Sequence, residues 1–386
     1  MMIRQCWVIM QRELFYMWRD KSLRNILLVG PLLGLLLMAG VYSSQRIGNI
    51  STAIVDLDKS SASRQVTTDL KNSQNLQVVA YFDTFSQLEE SIKRGEVIVG
   101  VVIPENYGKD IALQRQTKVA VLIDGMNIIY ATNASSAVLT VTRTLGAQVG
   151  IRTLIAKGIQ PNQAQEAYQS VAFPEEAWFN PTANYAYFLV LAFALNVWQQ
   201  CCTLASCMTI IGENGRRSWY QIRTSGISLF KLFFCKSFVH IGILLLTVLP
   251  VYFLAFVVFK LPLACGWSSF LLFTLIFILA LHGLGTMMSS LSPNAVNASR
   301  YGMIIALPSF LLSGFTWPLQ AMPQWLQHVV WILPQTWFFQ GVSFLTFKNP
   351  GWGFVSHYFL ALSLMAVLFY SVAALRLMVS DFPHKG

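Results

Sequence analysis

GENGRRSWYQIRTSGIS, residues Gly212 to Ser228, is a concentration of charge between two apolar walls. From Ala177 to Gly212 no Asp, Glu, Lys or Arg occurs, and none occurs from Ser237 to Phe259. Between those walls lie Glu213, Arg216, Arg217, Arg223, Lys231 and Lys236. The 386-residue chain is 55% hydrophobic and 11% charged, against about 25% charged residues in a typical soluble domain. It reads as a membrane protein. The net charge of +10 does not describe a nucleic-acid surface, because of where it sits. Residues 44–184 hold 12 Lys/Arg and 13 Asp/Glu, which leaves 15 basic and 4 acidic residues beside the apolar segments. There they orient helices in a bilayer.

Working outward from the island, charge-free runs count the membrane crossings, since about 20 apolar residues at 1.5 Å rise span a hydrocarbon layer of about 30 Å. The spans so read are residues 25–43, 185–211, 232–259, which is charge-free after Lys236, and 268–290. Arg300 to Lys348 encloses 47 charge-free residues, too many for one crossing, and Pro308, Pro318, Pro323 and Pro334 interrupt them. We read a fifth span from Tyr301 to Phe315, then a re-entrant or surface-lying hairpin within 313–347, and a sixth span from Trp352 to Leu375. Six spans with the N-terminus inside place 13 basic residues on the cytoplasmic side against 2, Lys260 and Lys348, in the outer connections apart from the 44–184 region, the asymmetry that the positive-inside rule expects. Seven spans would put the C-terminal tail outside. The domain plan is thus a cytoplasmic interfacial segment 1–24, the first span 25–43, an external region 44–184, the second span 185–211, a cytoplasmic segment 212–231, spans three to six over 232–376, and a cytoplasmic tail 377–386.

The N-terminal segment is read as an uncleaved anchor, because roughly 24 polar and amphipathic residues precede its apolar run, more than a secretory leader carries. Ile3, Trp7, Met10, Leu14 and Met17 recur at steps of four and three with Arg12 and Arg19 opposite, which predicts a helix in the membrane interface. Packing of that helix on its own protein is compatible with this. Ile222, Leu229, Leu232 and Phe233 at helical spacing predict a second short amphipathic helix on the inner face,. Two or three basic residues would suffice to hold that loop in the cytoplasm, and the surplus implies guanidinium groups offered to a soluble partner.

The external region alternates strand and helix patterns. TAIVDLD (52–58), LQVVAYF (76–82), VIVGVVI (97–103) and KVAVLID (118–124) read as strands, and 61–72, 86–95 and 104–114 as helices. A long helix over about 127–157 would return the chain toward the bilayer. The fold class is an α-helical integral membrane protein with six transmembrane helices, an N-terminal interfacial helix, an outer re-entrant hairpin and an external α/β domain inserted after the first span.

No G-x-x-x-x-G-K-[ST], G-x-S-x-G or H-E-x-x-H occurs, so no phosphate-cradling loop, nucleophile elbow or zinc helix is available and no catalytic residue is assigned. The six cysteines, Cys6, Cys201, Cys202, Cys207, Cys235 and Cys265, all lie outside the external region, and no Cys/His spacing marks a metal site,. His282, near the middle of the fourth span, reads first as a neutral imidazole bonded to a neighbouring helix, and otherwise as part of a solute path. Gly30 and Gly34 form a small-x-x-x-small pair in the first span,.

Several stretches carry a resemblance: VDLDKSSASR (55–64), VVIPENYGKDI (101–111), LIDGMN (122–127), SGFTWPLQAMPQWLQ (313–327) and ILPQTWFFQG (332–341). With the order of parts, they make the whole chain resemble the permease subunit of type-2 ABC exporters, the ABC-2 permeases, in the bacterial branch with an external domain after span one. The resemblance implies a multi-pass inner-membrane exporter of a small amphipathic or drug-like solute. It implies a homodimer or heterodimer with a related permease, contact with the lipid bilayer, no nucleic acid, and cytoplasmic ATP-binding subunits that carry the ATP and Mg. No cofactor is assigned to this chain, and a membrane-fusion-type adaptor is a further partner of the branch. It implies coupling to the ATPase through Glu213, Arg216, Arg217, Ser218 and Arg223, and an outer gate at Phe315, Trp317, Pro318, Met322, Pro323 and Trp325. Family members carry E-R-E-x-G-T-x-E-x-L after the second span, whereas here Asn214, Gly215, Arg217 and Tyr220 replace Arg, Glu, Gly and Glu. The expected contact is more cationic and its docking cleft more acidic. Two other classes remain at this point, a non-transporting signalling or scaffold protein with an external sensing domain, and a passive channel. No ring of charges lines any span to favour the channel.

Overall fold

Asp20 separates the first two helices, α1 (Met2–Arg19) and α2 (Lys21–Val41). Its carboxylate accepts the Leu23 N–H at 3.0 Å, satisfying an orphan donor at the start of α2,. The computed structural model describes residues 2–43, 48–113, 115–168, 178–182, 184–215 and 218–379, and these divide into two compact units, residues 46–176 and the remainder.

The 46–176 unit contains β1 (Ile50–Asp56), α3 (Ser61–Lys71), β2 (Leu76–Phe82), α4 (Phe85–Lys93), β3 (Val99–Ile103), α5 (Tyr107–Ala112), β4 (Ala120–Ile123), α6 (Ile128–Ala156) and α7 (Pro161–Tyr168). All four strands and the three short helices fall where the alternation of Val/Ile runs with capped segments places them. Ser60, Thr84 and Asn127 cap α3, α4 and α6 with their side-chain oxygens,, and Gly95, at φ +72°, turns the chain out of α4,. The sheet order is β2-β1-β3-β4, with β1 parallel to both β2 and β3, and β4 antiparallel on the edge. Ile50, Ile54, Val99, Val101 and Ile103 meet α3 and α6 on one face. Ala53, Val55 and Val102 meet Leu88 of α4 on the other. Burial on both faces explains why β1 and β3 read as continuous apolar runs.

The other unit continues through α8 (Tyr185–Cys207), α9 (Ile211–Gly215), α10 (Trp219–Thr224), α11 (Leu229–Tyr252), α12 (Trp267–Leu291), α13 (Ala295–Leu312), α14 (Gln324–Val329), α15 (Pro334–Phe347) and α16 (Trp352–Val379). Six helices, α2, α8, α11 with its Phe253–Val258 extension, α12, α13 and α16, are long and apolar enough to cross a bilayer. The protein is therefore a helical integral membrane protein. At 14 residues, α15 rises about 21 Å and falls short of a crossing,. Helices α8 and α12 are the most enclosed. Gly285 lets them touch, since a Cβ there would lie 2.3 Å from Ser206 Cβ. The Gly30 and Gly34 pair does the same for α2 and α8, with ideal Cβ positions 3.1 Å from Cys201 Sγ and 3.0 Å from Val197,.

Three expectations change. The fifth span begins at Ala295, not Tyr301, because Asn294 caps it by accepting the Asn297 N–H at 2.9 Å, and it continues through Pro308 to Leu312. The predicted 222–233 helix is two helices, α10 and α11, parted at Gly226 with φ +64°. Ile222, Leu232 and Phe233 still converge, in one cluster with Ile9, Ile210 and Cys235. Finally, the N-terminal stripe splits. Ile9, Glu13 and Met17, four residues apart, are buried, while Trp7, Leu14 and Trp18 remain exposed. The helix packs on its own protein through one face and keeps an apolar stripe on another, because Glu13 finds its partners inside the bundle.

Candidate functional site

After Cys207 the chain leaves α8 in a tight turn before α9, and Ser289 Oγ of α12 accepts the Ile210 and Ile211 N–H groups at 3.1 and 2.9 Å. That side chain satisfies backbone donors freed where the helix breaks. The turn delivers Glu213 into the protein with its side chain fully buried. Its carboxylate accepts from Lys236 Nζ of α11, Arg12 Nη2 of α1 and Ser218 Oγ. Lys236, also fully buried, lies 3.3 Å from Glu13 Oε2 of α1. Glu13 Oε1 in turn meets His240 Nε2 at 2.9 Å. Two carboxylates thus face one guanidinium and one ammonium, with the His240 imidazole beside Glu13.

Burial would raise the proton affinity of Glu213, but Lys236, Ser218 and Arg12 outweigh it and hold the carboxyl below the usual carboxylate range,. Burial acts against the charge of Arg12, yet the pairing with Glu213 raises its pKa. His240 Nδ1 has no hydrogen-bond partner among the described residues. The His240 ring stands 5.3 Å from that of His282.

His282 extends the junction across the bundle. It contacts Tyr370 Oη of α16 at 2.8 Å through Nδ1, and Thr209 Oγ1, in the turn between α8 and α9, at 3.3 Å through Nε2. This is the imidazole bonded to neighbouring helices that its position in a span implies. A second tie between α1 and α11 runs from Lys231 Nζ to Gln5 Oε1 at 2.6 Å.

Of the residues singled out in the island, Glu213 and Ser218 are brought together, and Ser218 orients the carboxylate while its N–H returns to Glu213 O at 3.2 Å. Arg216 and Arg217 lie outside the described residues, as does the side chain of Arg223. Arg12 and Lys236 read only as part of the charge pattern, His240 only as a histidine near the inner end of the third span, and Glu13 was not singled out. Lys236 carried a usable signal, an ammonium immediately before a charge-free run of 23 residues, where a buried partner is the expected solution. Glu13 carried none that identified its partners, since His240 lies 227 positions away.

At the other end of α8, Phe188 stacks on Phe315 with centroids 5.1 Å apart and planes 10° from parallel. Phe315 also meets Phe310 and Phe339. Met322 is buried, whereas Trp317, Pro318, Pro323 and Trp325 are exposed. The six hairpin residues therefore divide into an inward pair and an outward four. Gly314, at φ +78°, fits beneath Leu319 and Gln340, and Gln340 Nε2 donates to Ser313 O at 2.9 Å. Below it, Gln335 Nε2 donates to Gln199 Oε1 at 3.3 Å and Gln199 Nε2 to Ala306 O at 3.1 Å, joining α15, α8 and α13 through buried amides.

The sequence matches the profile described as ABC-2 family transporter protein over residues 21–375. The chain belongs to the ABC-2 transporter family. It is similar to the probable multidrug ABC transporter permease YbhR of Escherichia coli, at 20% identity over 333 residues, covering 86% of this chain and 87% of YbhR. It is also similar to the inner membrane transport permease YhhJ of Escherichia coli, at 20% over 366 residues and 92% and 94% of the two chains. The probable multidrug ABC transporter permease YbhS of the same organism is 22% identical over 322 residues, 83% and 82% of the two. This ABC-2 protein is accordingly a multi-pass permease subunit of an ABC exporter, and permeases of this kind work with separate ATP-binding subunits rather than as enzymes themselves.

Proposed function

We propose that this permease dimerises, alone or with a related permease, and exports a small amphipathic or drug-like solute from the cytoplasm or inner leaflet, powered by two cytoplasmic ATP-binding subunits that dock on residues 212–231. The buried ion cluster at Glu213 carries the reading. It fastens the segment after the second span to α1 and α11 at once, so a push on that segment moves three helices together. The distribution of basic residues supports placing both termini and residues 212–231 in the cytoplasm and residues 44–184 outside. The names of YbhR and YbhS support a drug-like solute.

In this mechanism, ATP-driven closure of the partner displaces Glu213, Arg216, Arg217, Ser218 and Arg223, tilts α8 and α11, and opens the hairpin around Phe315, Trp317, Pro318, Met322, Pro323 and Trp325. His282 lies beside the solute path. ATP binding shifts the population only by the difference in contact energy between the two arrangements. The external region receives the solute or contacts an adaptor of the membrane-fusion type.

Replacing Arg216 and Arg217 together by Glu is the direct test. Expected is loss of co-purification of the ATP-binding subunit in mild detergent while the permease itself is recovered. Undiminished recovery of the complex removes the docking proposal.

A further inference from the structure

The α/β unit contains a cleft that the coupling scheme does not use. Helix α6 has 29 residues and the edge strand β4 only four, so the helix outruns the sheet edge it covers. Val138 and Leu145 of α6 are buried, but Val121 and Ile123 of β4 are only half-buried. Along this flank the helix, β4 and α5 enclose a cleft of about 650 Å³. A pocket of about 270 Å³ adjoins it and shares Val66, Tyr107, Ile111, Leu145 and Val149 with it. Volumes of this size, with walls that mix apolar side chains and polar groups, are those of small-molecule sites.

Charge gives the cleft a sign. Among the described residues that line the two spaces the charged ones are Arg115 and Arg152, with no carboxylate. Both are exposed, and neither has a side-chain ion pair among the described residues. The opposite flank of α6 makes the contrast. A groove of about 400 Å³ there is lined by Asp69, Asn72, Gln74 and threonines. Two flanks of one helix thus differ in both polarity and charge.

We propose that the cleft between α6 and β4 binds an amphipathic carboxylate, its hydrocarbon chain against Val121, Val138 and Leu145 and its head group at Arg115, with Arg152 of the adjoining pocket adding positive charge nearby. A guanidinium pairs with a carboxylate through two parallel N–H bonds, and the apolar walls reward each added methylene. The site lies outside the Glu213 junction, so its occupancy is separable from coupling to an ATPase.

The test uses the full chain in nanodiscs of zwitterionic lipid, without any ATP-binding subunit. The probe is hexadecanoic acid bearing a photoreactive diazirine, and the readout is mass-spectrometric mapping of labelled peptides. Labelling is expected within residues 107–153, with competition by unlabelled alkyl carboxylates strengthening roughly three- to fourfold per methylene. Arg115→Glu with Arg152→Glu should weaken it roughly tenfold. Gly146→Phe should abolish it, since a Cβ at Gly146 meets nothing within 4 Å and the ring has open cleft to fill. A trimethylammonium probe with the same tail should not label these peptides. Equal labelling by both head groups, labelling unaffected by Gly146→Phe, or no labelling because a second copy of the chain closes the cleft overturns the proposal. The substituted positions are exposed, and retention of the elution volume shows that the variants remain folded.

Discussion

Around Glu213 the bundle is fastened by three buried charged side chains, the half-buried Arg12 and a histidine, whereas at the far end of α8 it is fastened around Phe315 by stacked rings and one backbone turn. The charged junction is demanding. Each ion has a named partner, and a shift of an ångström leaves a charge unpaired in a low dielectric. Rings are tolerant. Offset stacks contribute about 0.5–1.5 kcal/mol per pair beyond burial and survive sliding. A helix bundle built this way transmits force where partners are fixed and yields where they are not.

The comparison breaks first at Lys236. Lys236→Met strands Glu13 and Glu213 without their shared cation and should cost about 3–5 kcal/mol, read as a fall in thermal midpoint in detergent. The triple change Glu13→Gln, Lys236→Met and Glu213→Gln should recover most of that loss. If Lys236→Met alone leaves the midpoint unchanged, the junction is not held by charge.

Acid titrates the same junction. The folded carboxyl of Glu213 sits below its unfolded value of about 4.3,. Its stabilisation is therefore fully present above about pH 4.3 and lost as the pH falls through the lower, folded pKa. A stability profile between pH 7 and pH 3 should show an acid limb that Glu213→Gln lacks.

Gly314→Ala attacks the other end. It places a Cβ 2.5 Å from Leu319 Cγ at φ +78°, and should cost about 1–3 kcal/mol. Because the hairpin tolerates movement, much of the strain should appear as faster labelling of a cysteine placed at Met322 rather than as unfolding. The smallest effect belongs to Trp325→Ala, an exposed ring whose loss should change the thermal midpoint by less than about 0.5 kcal/mol equivalent,. A large loss would mean that the outward tryptophans are structural.

Periodicity and composition made the six apolar helices, the four strands and their intervening helices legible, since those signals are local. The Gly30 and Gly34 pair was legible as a contact, though not as one with α8. Misreadings arose where two local signals competed. The stripe from Ile3 to Met17 and the run from Ile222 to Phe233 are both apolar at helical spacing, and which side they bury depends on what lies opposite. For the candidate site, Glu213 and Ser218 could be found from the charge island, but Arg12 lies 201 positions from its partner and Glu13 lies 227 from His240.

The sequence alone decided that this chain crosses a bilayer, how often, and where an α/β unit interrupts it, because burial of apolar side chains and backbone pairing in lipid are read from a few turns at a time. Only the tertiary structure decided which ions meet. Pairing of buried charges is a matter of geometry across helices, and four acidic residues among fifteen basic ones outside the central region left too many combinations for spacing to choose between.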